Sequence, residues 1–212
     1  MIKDYKEFKN YLEKIDINNK PKLLLHACCG PCSSYCLELL KKYFSITIFY
    51  SNDNISPKEE YQKRLDVISN FAKKYHDIKV IYDEYNNDDY NNKIKNHEHD
   101  GEKSIRCYLC YELRLEKTCI KAKELGFDFF TTTLSISPYK ISKWINEIGY
   151  NLQNKYNVNY LYSDFKKEDG YKKSIELSCK YNMYRQDYCG CKYSKEERDK
   201  IKNDRIKEEN DN

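Results

Sequence analysis

Seven of the ten cysteines fall into three tight clusters: His26-Ala27-Cys28-Cys29-Gly30-Pro31-Cys32, Arg106-Cys107-Tyr108-Leu109-Cys110 and Asp187-Tyr188-Cys189-Gly190-Cys191. The clusters lie about 80 residues apart in sequence. In a chain that opens without an apolar export signal, thiols so grouped hold metal or do redox chemistry more often than they form structural disulfides.

Each cluster admits more than one chemistry. Cys29-Gly30-Pro31-Cys32, taken alone, looks like a thioredoxin-type dithiol with a thiolate favoured at a helix start. The extra Cys28, the chain length and two further clusters weigh against that. Cys107-x-x-Cys110 alone is weak, because two buried thiols on one helix face are common. Joined to Cys28-Cys29 it supplies four thiolates, enough for zinc or an iron–sulfur cluster. Adjacent cysteines are rare in zinc knuckles, so spacing tilts toward iron and sulfur without deciding. In Cys189-Gly190-Cys191 the glycine permits a turn that points both sulfurs one way. Such a pair ligates one metal or forms a strained, easily reduced disulfide. Asp187, two residues upstream, is a candidate oxygen ligand or proton donor. His26 is either a satisfied core histidine or a hydrogen-bond partner of a sulfur. Cys36, Cys119 and Cys179 fall inside helical patterns and read as small buried hydrophobes.

These residues need elements to position them. Short apolar runs at 22–27 (KLLLHA), 45–50 (SITIFY), 79–82, 128–133 (DFFTTT) and 158–162 read as strands. Helical patterns fall between them, at 33–42, 57–75, 107–126 and 141–154, with two more near 172–181 and 194–208. This alternation gives an α/β fold: a Rossmann-like parallel sheet of about five strands with helices on both faces, plus C-terminal helices. The whole chain, 1–212, reads as a single domain with a charged tail from about 194. The first cysteine cluster directly follows the first strand, the end where such sheets take ligands. Residues 86–104 are polar and read as a mobile loop or lid, and the tail as a solvated helix that frays.

Composition sets limits. Of the 212 residues 34% are charged, yet the net charge is only +4, which tolerates nucleic acid without demanding it. The 22 tyrosines read as compositional bias. No apolar stretch is long enough to span a membrane, and the expected location is the cytoplasm. Neither G-x-x-x-x-G-K-[ST] nor G-x-G-x-x-G is present, which disfavours ATP-driven chemistry and a tightly held dinucleotide.

Six stretches together carry a resemblance: 23–32 (LLLHACCGPC), 52–57 with Glu60-Tyr61 and Arg64, 106–114 (RCYLCYELR), 131–140 (TTTLSISPYK), 164–171 (DFKKEDGY) and 184–191 (YRQDYCGC). In this order they resemble the QueH-type, cobalamin-independent epoxyqueuosine reductases. Asp53 departs from the pattern, which has proline there. The resemblance implies an adenine-nucleotide α-hydrolase-like fold and a [4Fe-4S] cluster on Cys28, Cys29, Cys107 and Cys110. It implies a redox-active pair, or an additional mononuclear iron, at Cys189 and Cys191, with Cys32 or Asp187 completing that site. The implied reaction reduces epoxyqueuosine to queuosine at the wobble position of a tRNA anticodon, with electrons from an external donor. The iron site would take the epoxide oxygen as a Lewis acid. For the anticodon loop, phosphate contacts are expected from Arg64, Arg106, Arg114, Lys140, Lys166, Lys167 and Arg185, and base stacking from Tyr139, Tyr171 and Tyr184. Two rivals stand beside this: a metal-free thioredoxin-like oxidoreductase and a non-enzymatic zinc module that binds RNA.

Overall fold

The structure is a computed structural model that describes residues 2–210, with side chains described to 204. Five parallel strands form one sheet: β1 (Lys22–His26), β2 (Ser45–Tyr50), β3 (Lys79–Tyr82), β4 (Phe129–Thr132) and β5 (Asn159–Tyr160). Their order is β3-β2-β1-β4-β5, so the chain reverses its direction of growth between β1 and β4. The register pairs His26 with Phe49 on one side and with Thr132 on the other. Leu23, Leu24 and Leu25 of β1 are fully buried, as a central strand covered on both faces requires.

The helices α2 (Gly30–Leu40), α3 (Lys58–Ala72), α5 (Ile105–Glu124) and α6 (Ser142–Tyr156) lie between strands, where the sequence pattern expects them. Two core clusters follow, one built around Leu23, Leu25 and Phe165, the other around Leu24, Leu115 and Phe130. α5 ends at Leu125, and Gly126 takes φ +67°, the left-handed conformation that stops a helix. Helices α7 (Gly170–Lys180) and α8 (Lys192–Asn210) follow β5, and the expected fraying at the end of the tail lies outside the described residues. Among the described residues no helix is long and apolar enough to cross a membrane.

Four expectations need correction. Helix α1 (Tyr5–Leu12) is absent from the pattern reading, although Asp4 caps it by accepting the Glu7 amide at 2.8 Å and Phe8 and Leu12 bury its inner face. The polar stretch 86–104 is not a bare loop: α4 (Asn87–Lys93) occupies it, and Tyr90 and Ile94, four residues apart, are buried against Cys110 and Cys191. Cys179 is exposed, unlike Cys36 and Cys119. The last strand is also shorter than its apolar run, because only Asn159 and Tyr160 pair with β4.

Candidate active site

The chain reversal between β1 and β4 sets the site. Cys28 and Cys29 leave β1 just as Thr133 leaves β4, and the Thr133 hydroxyl meets the Cys28 sulfur at 3.8 Å. Cys29 is the N-cap of α2; its sulfur accepts the Cys32 amide at 3.4 Å, and Pro31 starts the helix without needing a donor. The ligand atoms of Cys28, Cys29 and Cys32 all lie within 4.8 Å of one another. Gln186 donates to Cys29 Sγ at 3.0 Å.

The other thiols come from α5 and from the turn before α8. Cys107 and Cys110 lie three residues apart and share a helix face. Cys107 packs against the apolar cluster that contains Cys28 and Cys29. Cys110 packs with Cys191 and Tyr90 in one buried cluster. Gly190 takes φ +132°, and a side chain there would stand 3.0 Å from Ile55 and 3.1 Å from Arg64. The turn is clamped: Ser56 donates to the Gly190 carbonyl at 2.9 Å, and Arg64 to the Cys189 carbonyl at 3.1 Å.

Two cations tie the thiol groups together. Arg114 is 3% exposed and donates to Asn52 Oδ1. Burial opposes its charge, but Cys110, Cys28 and Cys189 outweigh that. Lys140 donates to Cys189 Sγ at 3.1 Å. Burial opposes its charge too, and Cys189, Tyr111 and Cys28 hold it protonated well above the usual lysine range. Arg114 and Lys140 therefore both feel the charge of Cys28 and of Cys189, and Arg114 that of Cys110 as well. Burial of Cys110 pushes its thiol up to about 12. Cys28 goes the other way, because the hydrogen bonds it shares with Cys29 and Cys32 favour its thiolate.

The charges test whether this donor set suits a thiolate-held iron–sulfur group. All ten cysteines are free of disulfides. Among the described residues neither Arg114 nor Lys140 forms a salt bridge with a carboxylate, whereas buried Arg64 and Arg106 have Glu60 and Glu197. A buried cation without a carboxylate needs another anion. N–H groups from Gln186, Lys140, Cys32 and Ser194 point at sulfur. Such hydrogen bonds are how proteins settle anionic clusters. The set fits.

Several expected roles change. His26 touches no sulfur: its nitrogens meet Thr132 Oγ1 at 2.8 Å and the Ser51 carbonyl at 3.1 Å. Burial, then Arg114, pushes its pKa down to about 3, so it is a neutral core histidine. Asp187 is exposed and pairs with Arg198 and with Lys202, the latter at 2.9 Å, rather than with a thiol. Arg64 and Arg106, at 1% and 2% exposure, are buried, as is Arg114, and cannot meet a phosphate. Arg64 holds the cysteine turn, and Arg106 donates to the Glu98 carbonyl and to Glu197. Arg185 is occupied by Ser178, and Tyr184 by Glu60 with Lys63 over its ring. Tyr139, at 65%, is exposed at the edge, beside Lys140. Sequence reasoning missed Gln186, Thr133, Tyr90 and Asn52. Gln186 and Asn52 lie inside motifs already singled out, and no spacing rule marks any of the four.

The chain was compared with known proteins. The family model for "Epoxyqueuosine reductase QueH" matches residues 23–197. A protein of Streptococcus pyogenes serotype M1 with that name is 42% identical over 180 residues, covering 82% of this chain and 71% of its own. One from Staphylococcus epidermidis is 43% identical over 182 residues, covering 82% and 76%. One from Thermotoga maritima is 34% identical over 182 residues, covering 83% and 91%. Among solved structures the U34-tRNA thiolase NcsA of Methanococcus maripaludis, with its [4Fe-4S] cluster, superposes with a TM-score of 0.55 at 16% identity. It covers 89% of this chain and 67% of the thiolase, a likeness that speaks for the α-hydrolase-like fold. The thioredoxin-like and zinc-module readings give way to the family match.

Proposed function

Because the chain belongs to the epoxyqueuosine reductase QueH family, we propose that it reduces the epoxide of epoxyqueuosine in tRNA, using the thiol-lined site at the sheet's reversal point. One observation carries this reading: thiols from three remote stretches act on the charges of buried Arg114 and half-buried Lys140, neither of which has a carboxylate partner among the described residues. Converting an epoxide to an alkene takes two electrons and two protons and releases water. An iron–sulfur cluster, when held there, supplies single electrons. Cys28, Cys29, Cys107 and Cys110 are the ligands we assign to it.

The remaining thiols have separate work. Cys189 and Cys191 supply the second redox equivalent, as a dithiol or as ligands of a further iron, whereas Cys32 stands with Cys28 and Cys29, all three ligand atoms lying within 4.8 Å of one another. Asp187 joins this group only by leaving Arg198 and Lys202. Arg114 and Lys140 offset the negative charge that gathers on sulfur, so electrons enter a pocket already biased for them. Tyr90, Ile94 and Tyr193 cover the Cys110–Cys191 side and keep water from it.

The tRNA face is the rim beside this pocket. Lys166 donates to the Lys140 carbonyl at 3.0 Å, and Lys103 and Lys167 lie close enough to repel its charge. With exposed Tyr139 they offer phosphate contacts and one stacking surface to a single-stranded loop. The test is direct. Protein purified without oxygen should be brown and carry iron and acid-labile sulfide. With a strong reductant and epoxyqueuosine-bearing tRNA, it should release queuosine, seen as the loss of one oxygen in nucleoside mass. Colourless protein that still turned over would refute the cluster, and brown protein that left the epoxide intact would refute the reaction.

A further inference from the structure

The strongest unexplained feature is an amide with nothing to hold. Asn52, Asp53 and Asn54 follow β2 at the carboxyl end of the sheet, and all are 2% exposed or less. Asn52 is used on both sides: it donates to the Ala27 carbonyl at 2.9 Å and accepts from Arg114. Asp53 accepts from Lys117 at 2.6 Å and from the Asn86 amide at 3.2 Å. Asn54 pairs with neither Nδ2 nor Oδ1. Its Nδ2 lies against the cysteine turn, 3.3 Å from where a Gly190 side chain would begin.

We infer that Asn54 is a substrate-binding residue whose carboxamide takes hydroxyl or amine groups of the ligand, with Gln186 as a second acceptor. The inference rests on the functional reading above, since epoxyqueuosine offers ring hydroxyls and a secondary amine beside its epoxide.

The chemistry of the orphaned atoms selects this kind of ligand. Gln186 gives its Nε2 to Cys29, while its Oε1 is buried without a partner. Two carbonyl oxygens thus flank the thiol set unanswered. Thiolate and sulfide sulfurs accept hydrogen bonds but cannot donate them, and a thiol S–H donates only weakly, so no sulfur group satisfies these oxygens well. An O–H or N–H does. Packing does not require the amide either, because leucine has nearly the same shape. Buried polar groups left without partners are a standing cost, and they persist where a ligand answers them. The backbone around Asn54 is held in place: Ile55 donates to the Asn52 carbonyl at 3.0 Å, and Asn87 to the Asp53 carbonyl at 2.6 Å. The amide is therefore presented from a fixed segment.

Asn54→Leu separates a ligand role from a structural one. Both proteins are purified without oxygen, assayed for iron and sulfide, melted, and assayed with epoxyqueuosine-bearing tRNA. The expected result is unchanged iron and sulfide, a melting temperature equal to or above wild type, and kcat/KM lower by about 10- to 100-fold. Gln186→Leu should lower kcat/KM in the same direction. A lower melting temperature or lost iron in Asn54→Leu would overturn the inference, because the amide would then be holding the fold. Unchanged kcat/KM in that variant overturns it as well, with the functional reading intact. Wild-type protein that failed to reduce the epoxide would sink the functional reading, and this inference with it.

Discussion

The Lys140 ammonium donates to the Cys189 sulfur at 3.1 Å, across 49 residues of sequence, and Cys28 lies within reach of the same charge. Removing that cation leaves the negative charge on sulfur less balanced, so further electrons become harder to add. Lys140→Met should therefore shift the midpoint potential of the bound cluster to more negative values. Turnover should fall by about 10- to 100-fold, the worth of one charge-assisted hydrogen bond. Lys140→Arg should recover part of both. A redox titration followed by electron paramagnetic resonance measures the first, and single-turnover assays the second. An unmoved midpoint would show that Lys140 is only a structural pin.

Gly190→Ala tests the turn between the two cysteines. At φ +132° an alanine is strained, and its methyl meets Ile55 and the Arg64 guanidinium at 3.0 and 3.1 Å. The expected cost is about 1–3 kcal/mol, read from denaturant midpoints. Arg64→Met should behave alike, loosening the turn through the Cys189 carbonyl without changing affinity for tRNA. If Arg64→Met weakened tRNA binding at full stability, the buried placement of Arg64 would be wrong.

Cys189→Ser and Cys191→Ser should each abolish reduction while Cys28→Ser and Cys110→Ser strip iron and sulfide from the protein. The separation follows from the roles assigned to the two pairs, Cys28 and Cys110 as cluster ligands and Cys189 and Cys191 as the second redox couple. Iron and sulfide per chain, measured on each variant, decide it. Wild-type turnover in either of the first two variants would remove the second redox role.

Much of this architecture could be read in the residues. Five apolar runs of β type and the helices between them dictate a parallel sheet, and Cys28 at the end of a central strand had to emerge where the sheet takes ligands. The cluster spacing named the thiols. What escaped is what long-range packing decides. Arg64, Arg106 and Arg114 read as phosphate hands because arginine is usually exposed, and only the fold shows each of them buried and turned to a carbonyl, a glutamate or a thiol. Residues 86–104 read as a loop because two apolar residues, Tyr90 and Ile94, make a weak periodic signal; their burial depends on α5 and the cysteine turn. Asn54 and Gln186 carry no pattern at all, since an amide is legible as functional only once its surroundings are known.

Asp53 stands where the family pattern has proline, and its charge is a net burden on the fold. Burial drives its carboxyl above the usual range, against the pull of Lys117 and the Asn86 amide. An acid raised in the native state takes up its proton there before it does so in the unfolded chain. Its contribution to stability is largest below the ordinary value of about 3.9 and is lost as pH rises through the native value. Wild type should therefore gain on Asp53→Asn as pH falls from 7 toward 4, the variant's advantage being largest at pH 7. Urea denaturation of both proteins across that range gives the comparison. A wild type that lost ground to the variant toward acid would mean that the pairing with Lys117, rather than burial, governs this carboxyl.

The last prediction concerns the rim. Lys103 and Lys167 are exposed, and both lie near Lys166, whose own ammonium is spent on the Lys140 carbonyl and Ser142. If an anticodon loop docks there, each of these two lysines displaces counterions from phosphate. Replacing both with glutamine should weaken tRNA binding and flatten the plot of log affinity against log salt by about 0.7 per contact, the figure for single strands. Arg106→Met, which breaks an interior link to Glu197, should lower the melting temperature and leave that slope alone. Filter binding over a series of potassium chloride concentrations reads both. An unchanged slope in the double lysine variant would move the tRNA path away from this edge of the pocket. The thiols would then have to be approached from the side of α4 and α8, where Glu98 and Glu196 offset Lys192 in the hollow they share; that offset is why the lysine rim is the approach we assign.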